Sequence, residues 1–597
     1  LSPRSTCTQP VHGVGVTSAQ PVHDGRREGM LTLPRRLWGR CQRLRHASQR
    51  CQRRGAAALD ERLPRWASPQ VLVAVLLLAG LGVRLWGLSR PPLEFHPGRQ
   101  FMGAIIARHA YLASLDETPA WRLEVAERNM RNENMLEPHI LEGMAVLGYR
   151  LAGQEALWIP RALSACFWLL GAGLLYRIAL RLTSQGGGVV AVTLFLFMPF
   201  AILASRSFQP DPLMVFLELA GVLALMRFAE RECMSRLLVA AAVCAAAVFV
   251  KPVCLSLLLG VYGVASWCRH GLLRTLTNRY TWTLALALGG PVAFYAWKVL
   301  SGAGASDLGS QAEGSIVPAL LLTTSFWRGV LAMLARVIGV VPLLLALAGL
   351  VLTTERRPHT GSLAGMWLGY ALFVMVFSYH THTHDYYHLQ VIPIAALSIG
   401  SIAAVGLGMF VLPSGAWRRR ALAGLLLCVG VLAASALGLV AFLSRPHAVA
   451  PHWGKPVAEV VGAACGIPRK FVAYVRPESI GMSAQVAVAR AVGEAVNHTA
   501  HTVFLGEDGG EPLIYLGEFS GVRWPAHGNL WKSRLLGEEV PSAAERLSRM
   551  LRQEPELEYF VVTDFGDLAR QPELEQVLAG YSVASRGSGY TVYSLRR

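Results

Sequence analysis

Carboxylates and cations follow directly on two apolar runs of the sequence. Glu94 is followed by His96 and Arg99 in Pro-Leu-Glu-Phe-His-Pro-Gly-Arg, and Arg206 precedes Asp211 in Arg-Ser-Phe-Gln-Pro-Asp. A carboxylate can take a proton from a hydroxyl group, while a cation stabilises a departing phosphate. Such pairs suit group transfer from a phosphate ester, in which the leaving group is already an anion and requires no dedicated acid.

Each of these residues also has a plainer interpretation. Glu94 at a membrane surface can simply pair with Arg99, and Arg206 can pair with Asp211 to shape the turn between two helices. Lys251, which precedes a proline within a long apolar run, can extend its amine to the membrane surface or meet a phosphate. Both interpretations stay open on the sequence alone.

The most polar aromatic segment is Tyr-His-Thr-His-Thr-His-Asp-Tyr-Tyr-His at residues 379–388. If this segment is extended, alternate histidines share one face and can ligate a metal ion. The other use of such side chains is hydrogen bonding of a sugar or a phosphate. The side chains concerned are His380, His382, His384, Asp385, Tyr386 and Tyr387.

Composition indicates what must position these residues. The 597-residue chain is 53% hydrophobic and 16% charged, with a mean hydropathy of +0.39, which is typical of a membrane protein. The formal charge of +18 does not point to nucleic acid, because thirteen arginines against four acids lie in residues 1–69, ahead of the first apolar run. Such a cluster is a cytoplasmic anchor. The scattered cysteines predict no disulfide framework.

Eleven apolar segments approach the length of a membrane-spanning helix, which needs about 20 residues. With a cytoplasmic N-terminus, every inside loop contains arginine, as the positive-inside rule requires, and the C-terminus lies outside. The predicted spans are 71–88, 160–180, 188–204, 211–228, 236–250, 252–268, 281–299, 329–352, 362–379, 389–411 and 420–443.

The first outside loop, residues 89–159, is too long for a simple connector. Apolar patterns over 100–115 and 140–153 predict two amphipathic helices on the membrane surface, in preference to two re-entrant spans. This topology also gathers the charged residues on one face, where a random scatter would divide them. The residues that converge outside are Glu94, Glu137, Arg206, Asp211, Lys251 and the segment 379–388.

Three regions follow from these patterns. Residues 1–69 are predicted to be a basic, partly disordered cytoplasmic region, and residues 70–443 a helical membrane domain. Residues 444–597 alternate short apolar runs, such as 502–505 and 559–563, with helical stretches such as 542–553, which predicts a soluble α/β domain on the outer face. The expected fold is mostly α, with about eleven spans.

Over about residues 70 to 410 the chain resembles the GT-C glycosyltransferases, specifically the dolichyl-phosphate-mannose protein mannosyltransferase and aminoarabinose transferase-like group. The matching pieces occur in the family's order and spacing. They are the acidic residue after the first span (Glu94), the juxtamembrane helix that ends at Gly153 before Trp158-Ile159-Pro160-Arg161, Arg206 with Asp211-Pro212, Lys251-Pro252, and His384-Asp385-Tyr386-Tyr387 leading into Pro393.

This resemblance implies an integral membrane enzyme that takes a hexose or pentose from a polyprenyl-phosphate donor, inverts the anomeric carbon and glycosylates a lipid, polysaccharide or protein acceptor outside the plasma (inner) membrane. Glu94 would be the base and Glu137 the second acid of the loop. It admits a divalent metal at Glu94, Glu137 or a histidine, and implies no other cofactor. The substrate-binding candidates are His96, Arg99, Arg206, Asp211, Lys251, His384, Asp385, Tyr386 and Tyr387.

A transporter or flippase for a lipid-linked sugar is the alternative, since charge within a membrane also marks transport pathways. It would show inverted repeats and broken helices in matching halves, neither of which is evident in the sequence. A scaffold that recruits partners through its C-terminal domain is a third interpretation, but it leaves the outer charges unexplained.

Overall fold

The structure is a computed structural model that describes residues 68–133, 135, 137–301, 316–353, 358–410, 464, 466, 470–535 and 537–596. Its larger part, up to residue 410, is helical. The helices are α1 Pro69–Leu85, α2 Pro97–Leu112, α3 Ala120–Arg131, α4 Ile140–Ala152, α5 Trp158–Leu182, α6 Gln185–Phe197, α7 Pro199–Ala204, α8 Asp211–Glu230, α9 Met234–Val250, α10 Leu255–His270, α11 Leu272–Thr277, α12 Arg279–Leu300, α13 Thr324–Val337, α14 Val340–Leu352, α15 Ser362–Val376, α16 Ser378–Thr383 and α17 Val391–Phe410.

Several of these helices are long and apolar enough to cross a membrane. Within the described ranges five pass by length and composition, or six if the bent pair of α13 and α14 counts as one span. Four shorter apolar helices accompany them, namely α1, α6, α9 and α15. The predicted span 420–443 lies outside the described residues.

Two predicted spans are wrong as single straight helices. The segment 188–204 breaks at Met198, whose extended conformation precedes Pro199, because a residue before proline avoids helical geometry. The segment 329–352 breaks at Gly339, which has a φ of 88°, and the two helix axes differ by 96°. Glycine adopts this left-handed conformation without the steric cost of a Cβ.

Three of the loops predicted to lie inside, those after α5, α8 and α10, meet at one end of the bundle. Arg181 at the end of α5 pairs with Glu230 at 2.8 Å, and Arg269 at the end of α10 pairs with Glu232 at 2.7 Å. Asp211, at the start of α8, lies at the opposite end of that helix from Glu230. For these three loops, the predicted alternation along the chain agrees with their positions in space.

Close helix packing holds the bundle together. A Cβ at Gly260 of α10 would collide with the backbone of Gly365 and Gly369 of α15, so these two helices touch through glycines. Small residues that let backbones approach are a common means of helix association in membranes, where lipid supplies no hydrophobic drive between helices.

The C-terminal part is an α/β unit with one sheet of order β2-β1-β3-β5-β4. Strand β1 is parallel to β2 and β3, whereas β5 is antiparallel to β3 and β4. Strands β1 and β3 and helix α22 lie where the sequence predicts them. The elements are α18 Lys470–Val475, α19 Met482–Ala495, β1 Thr502–Leu505, α20 Glu511–Gly517, β2 Gly521–Arg523, α21 His527–Leu535, α22 Ala543–Gln553, β3 Tyr559–Val562, α23 Phe565–Ala569, α24 Pro572–Leu578, β4 Val583–Gly587 and β5 Tyr590–Ser594.

Helix α2 does not lie with its apolar face on the membrane, contrary to the sequence prediction. Phe101 and Ile105 of α2 are buried in one cluster with Tyr515 of α20, so the C-terminal unit covers this face. The second predicted helix, α4, keeps an outward apolar side, because Leu147 and Leu151 are exposed. An amphipathic pattern requires apolar cover, but it does not say whether lipid or protein supplies that cover.

Candidate active site

Charged side chains from the first loop, the bundle and the C-terminal part meet at one end of the helices. They form three neighbouring groups. The Glu94 group consists of Glu94, Arg161 and Arg206; the Lys251 group of Lys251, Asp211, Glu137 and Arg99; and the His96 group of His96, Asp385 and Lys470.

In the Glu94 group one carboxylate faces two guanidinium groups. The Nη2 of Arg161 lies 2.6 Å from Oε1 of Glu94, and the Nη2 of Arg206 lies 3.9 Å from the same oxygen. The pairing of Glu94 with Arg99, considered from the sequence, is therefore wrong. The other oxygen, Oε2, is buried and has no hydrogen-bond partner among the described residues.

Arg161 fixes the loop that contains Glu94. It extends from the first turn of α5 and donates to the carbonyls of Leu88 and Arg90, at 2.7 and 2.6 Å. Gln100 of α2 adds a second tie, since its amide donates to the carbonyl of Phe95 at 2.5 Å and accepts from the amide of Phe208 at 2.8 Å. The Glu94 loop and the Arg206 turn are thus held to each other.

Arg206 and Asp211 do not pair with each other, contrary to the plainer sequence interpretation. Arg206 donates to the carbonyl of Trp86 at 2.7 Å and lies over the ring of Tyr474, 4.8 Å from its centroid. Asp211 instead pairs with Lys251 at 2.8 Å. The turn places the two residues in different groups.

Lys251 is the centre of a buried charge network. Helix α9 ends at Val250, Lys251 is extended, and a short 3-10 turn follows, which confirms the break predicted at this residue. The ammonium lies 2.8 Å from Asp211 and 3.8 Å from Glu137. It also lies 5.4 and 5.2 Å from the ring centroids of Tyr386 and Tyr387, within the range of a cation–π contact.

Glu137 joins the first loop to this network. Its Oε2 accepts from Arg99 at 2.9 Å. Burial by itself would raise the pKa of Glu137, but the charges of Arg99 and Lys251 outweigh it and hold the pKa at about 2. The carboxylate is therefore ionised at neutral pH and serves as a permanent partner of two cations.

His96 lies between the first loop, the bundle and the C-terminal part. Its φ of 43° places it in the left-handed region ahead of Pro97. The Nε2 lies 2.5 Å from Oδ1 of Asp385 and 3.1 Å from Nζ of Lys470. The ring also contacts Tyr386 edge-on, with centroids 4.8 Å apart, which connects the His96 group to the Lys251 group.

The histidine segment is helical and not extended, so its alternate histidines do not share one face. Residues 378–383 form α16, and His380 stacks on Tyr387 with ring centroids 4.8 Å apart. His382 contacts the carbonyl of Ser378 at 2.8 Å. Burial lowers the pKa of His384 to about 4, which leaves that ring neutral.

The divalent metal site that the family resemblance allows does not match this arrangement of side chains. In the described part of the chain no group of three or more His, Cys, Asp or Glu side chains is placed to hold a metal ion. Glu94 and Glu137 also have different cationic partners, Arg161 and Arg99. These residues fit paired charges and not a set of metal ligands.

Three residues of the candidate active site were not among the site residues predicted from the sequence. Arg161 has a visible signal, an arginine in the first turn of a 25-residue apolar helix, since charge at membrane depth is rare without function. Lys470 and Tyr474 of α18 have no such signal, because only the fold brings them beside His96 and Arg206.

Comparison with known proteins gives a family match and a fold match. Residues 138–297 match the family described as dolichyl-phosphate-mannose-protein mannosyltransferase. This stretch includes Arg161, Arg206, Asp211 and Lys251. A comparison with curated proteins finds no significant match.

Two solved structures of one bacterial protein resemble most of this chain. ArnT from Cupriavidus metallidurans in the apo state aligns with a TM-score of 0.53 at 17% identity, covering 87% of this chain and 97% of that one. The same protein bound to undecaprenyl phosphate aligns with a TM-score of 0.51 at 16% identity, covering 89% and 98%. The chain thus shares the fold of ArnT, and its residues 138–297 match the dolichyl-phosphate-mannose-protein mannosyltransferase family.

Proposed function

We propose that this chain is a membrane glycosyltransferase that transfers a sugar from a polyprenyl-phosphate donor to an acceptor on the outer face of the membrane, with inversion at the anomeric carbon. The observation that carries the proposal is the Glu94 group, where one carboxylate with a free oxygen adjoins two buried guanidinium groups. A base and an anion-stabilising charge are the two requirements of transfer from a lipid phosphate.

In the proposed reaction the acceptor hydroxyl gives its proton to Glu94 while its oxygen bonds to the anomeric carbon. The bond between that carbon and the phosphate oxygen breaks, and the polyprenyl phosphate leaves with the electron pair. Oε2 of Glu94 is the suitable proton acceptor, because Oε1 is already bonded to Arg161. Glu137, with its low pKa, serves better to hold Arg99 and Lys251 than to accept a proton.

The donor phosphate has a cationic environment available. Arg206 contacts the carboxylate of Glu94 only at 3.9 Å, and its other partners are the carbonyl of Trp86 and the ring of Tyr474. Its positive charge is therefore only partly compensated. Lys251 lies against Tyr386 and Tyr387, whose hydroxyls are suited to hydrogen bonding of a sugar or phosphate. ArnT, the protein of similar fold, has been crystallised with undecaprenyl phosphate, which supports the same class of donor here.

The proposal is tested with purified protein in liposomes that contain a radiolabelled polyprenyl-phosphate sugar. The wild-type protein should release polyprenyl phosphate and transfer the sugar, whereas Glu94→Gln, whose side-chain carbonyl can still accept from Arg161, should remain folded but lose transfer. Glu117→Gln is a matched control, since Glu117 is an exposed acid of the same loop. Undiminished transfer by Glu94→Gln would remove Glu94 from the role of base.

The same assay separates the enzyme from a transporter. A flippase moves the donor across the bilayer with the phosphate–sugar bond intact, so it yields no free polyprenyl phosphate. Movement of intact donor, without any cleavage by the wild-type protein, would contradict the proposed enzyme and favour the transporter.

The proposed sidedness places the three charge groups and the C-terminal unit outside the plasma (inner) membrane, with the basic N-terminal region in the cytoplasm. It rests on the arginines of the opposite loops. An Ala487→Cys variant provides the test, because Ala487 is exposed on α19. A membrane-impermeant maleimide should label it in intact spheroplasts. Labelling only after permeabilisation would contradict the topology. The engineered cysteine is preferred to the native Cys465, because Cys465 lies outside the described residues.

A further inference from the structure

A cavity of about 280 Å³ lies in the C-terminal unit, beyond the charge groups described above. The segment after β1 contributes Glu507 and Asp508, and Thr563 contributes from the end of β3. Gln485 of α19 and Ser588 of the β4–β5 turn complete the polar wall. A cavity of this size accommodates a small ligand rather than a single water molecule.

The strand order places this cavity at a topological switch point. Strand β1 lies between β2 and β3, both of which run parallel to it. The chain leaves β1 towards β2 on one side and later returns as β3 on the other side. The connections after β1 and β3 therefore diverge at the carboxyl ends of these strands, which is the position where open sheets with parallel strands bind ligands.

The cavity borders the candidate active site. Leu93, the residue that precedes Glu94, forms part of its wall. A side chain at Gly98 would collide with the carbonyl oxygen of Asp508, so the segment after β1 rests directly on the start of α2. A ligand in this cavity would lie beside the loop that contains Glu94 and His96.

The chemistry of the wall favours hydroxyl groups over anions. Neither Glu507 nor Asp508 forms an ion pair or hydrogen bond with another side chain of the described residues, so their carboxylates can accept from a ligand. Burial raises the pKa of both carboxyls; Lys470 and His96 add positive charge near Asp508, and Asp564 adds negative charge near both. The amide of Gln485 and the hydroxyls of Thr563 and Ser588 add both donors and acceptors. Among the residues that the structure describes, no Lys, Arg or His lines the cavity, so a phosphate has no cationic partner in its wall, whereas a polyhydroxyl compound meets complementary partners.

We propose that this cavity binds the acceptor, an uncharged saccharide, and presents one of its hydroxyls to the Glu94 group. The assignment of this ligand as the acceptor rests on the proposed function. The bond changes are those given above: the bound hydroxyl loses its proton to Glu94 and its oxygen joins the anomeric carbon as the polyprenyl phosphate departs. Acceptor and donor then approach from different parts of the fold, the acceptor from the C-terminal unit and the donor from the bundle.

Binding is tested on the full chain in nanodiscs by saturation-transfer difference NMR, with maltose and cellobiose as neutral probes and glucose 6-phosphate as the anionic probe. The variant Ala484→Trp fills the cavity from α19, because Ala484 is part of its wall. Ala487→Trp is the matched control on the same helix, exposed and away from the cavity. Asp508→Asn removes one charge and keeps the backbone, because asparagine tolerates the left-handed φ of 49°.

The expected result is binding of at least one neutral disaccharide by the wild-type protein and by Ala487→Trp, with loss of binding in Ala484→Trp. Asp508→Asn should weaken that binding by about tenfold, the effect of one lost hydrogen bond to a charged group. Three results would each overturn the proposal: no binding of either disaccharide, equal binding in Ala484→Trp, or glucose 6-phosphate binding as tightly as the neutral probes.

A second measurement keeps the failure of this proposal distinct from failure of the proposed function. Cleavage of the polyprenyl-phosphate sugar is followed in wild type, Ala484→Trp and Glu94→Gln with the bound disaccharide present. If the disaccharide binds in the cavity but neither the wild-type protein nor any variant cleaves the donor, the saccharide site stands and the glycosyltransferase assignment fails. If the donor is cleaved equally by wild type and Ala484→Trp, the enzyme stands and the cavity is overturned as its acceptor site.

Discussion

Arg161 and Glu94 form an ion pair with an N–O distance of 2.6 Å, in which the side chains are only 1% and 6% exposed. The pair joins the first loop to the start of α5, and the same guanidinium bonds two further loop carbonyls. A buried carboxylate needs such a partner, since an unpaired charge away from water is costly. The residue proposed as base is thus also part of what holds its own loop in place.

Removal of Arg161 should therefore destabilise the protein strongly. For Arg161→Met we expect a loss of about 3–5 kcal/mol, the usual effect of leaving a buried charge without its partner. The double variant Arg161→Met/Glu94→Gln should recover part of this loss. Thermal unfolding followed by tryptophan fluorescence measures both. Arg131→Met is the control, because Arg131 pairs with Glu127 on an exposed helix surface; equal destabilisation by the two single variants would contradict the prediction.

Lys251 should determine how tightly the donor phosphate is held. Lys251→Met removes a charge that contacts Asp211 and approaches two tyrosine rings, and we expect binding of farnesyl phosphate to weaken by at least about tenfold, since a hydrogen bond to a charged group contributes about 1.5–3 kcal/mol. Isothermal titration measures this affinity. Lys251→Arg keeps the charge and should retain most of the binding. If Lys251→Met binds farnesyl phosphate normally, Lys251 is only a structural partner of Asp211.

Glu142 should make stability fall as the pH rises. Burial raises the pKa of this α4 carboxyl to about 7 from its usual 4.5. Between these values the unfolded chain loses its proton while the folded chain keeps it, so the free energy of unfolding declines over this window and the loss levels off above it. The shift corresponds to about 3 kcal/mol. Glu142→Gln should flatten the decline in unfolding temperature measured from pH 4.5 to 8, whereas Glu117→Gln, at an exposed position, should follow the wild type.

Gly98 should be required for the fit of the C-terminal unit on the first loop. In Gly98→Ala the added methyl group meets the carbonyl oxygen of Asp508, so the segment after β1 must move. We expect faster hydrogen exchange over residues 506–513 and a lower unfolding temperature. Gly143→Ala, at a helical position of α4 with open space around it, should leave exchange unchanged or stabilise slightly. Equal exchange in both variants would show that this contact is dispensable.

Local features of the fold follow from the sequence. Ser542 and Glu545 form a capping box at the start of α22, and the helix runs over the predicted stretch because both signals lie within one turn. The break at Lys251 is likewise local, since the following proline cannot continue the hydrogen bonding of α9. Apolar runs of four or five residues also predict β1 and β3, because they are too short for a buried helix and are rich in β-branched and aromatic residues.

The sequence does not show which charged side chains contact each other in the fold. Glu94 pairs with Arg161, far along the chain, and not with Arg99 close by, because the fold brings the start of α5 against the loop before α2, where Arg161 also bonds two loop carbonyls. The histidine segment is helical because α16 continues from α15 after a bend at Phe377. Its alternating residues are all polar, so the segment has no apolar face whose burial would favour an extended strand. Lys470 reaches His96 only through the final fold.

The burial of α2 under the C-terminal unit affects the order in which the site forms during synthesis. Phe101 and Ile105 emerge from the ribosome early, but the residues that bury them, such as Tyr515 and Phe519, are made only after the membrane helices. Until then the first loop has an exposed apolar surface and an incomplete setting for Glu94 and His96. Contacts between such distant parts of a chain form late, because a long loop must close first. On the proposed function, the nascent protein should therefore gain activity only when its C-terminal unit has been made and has packed on the first loop.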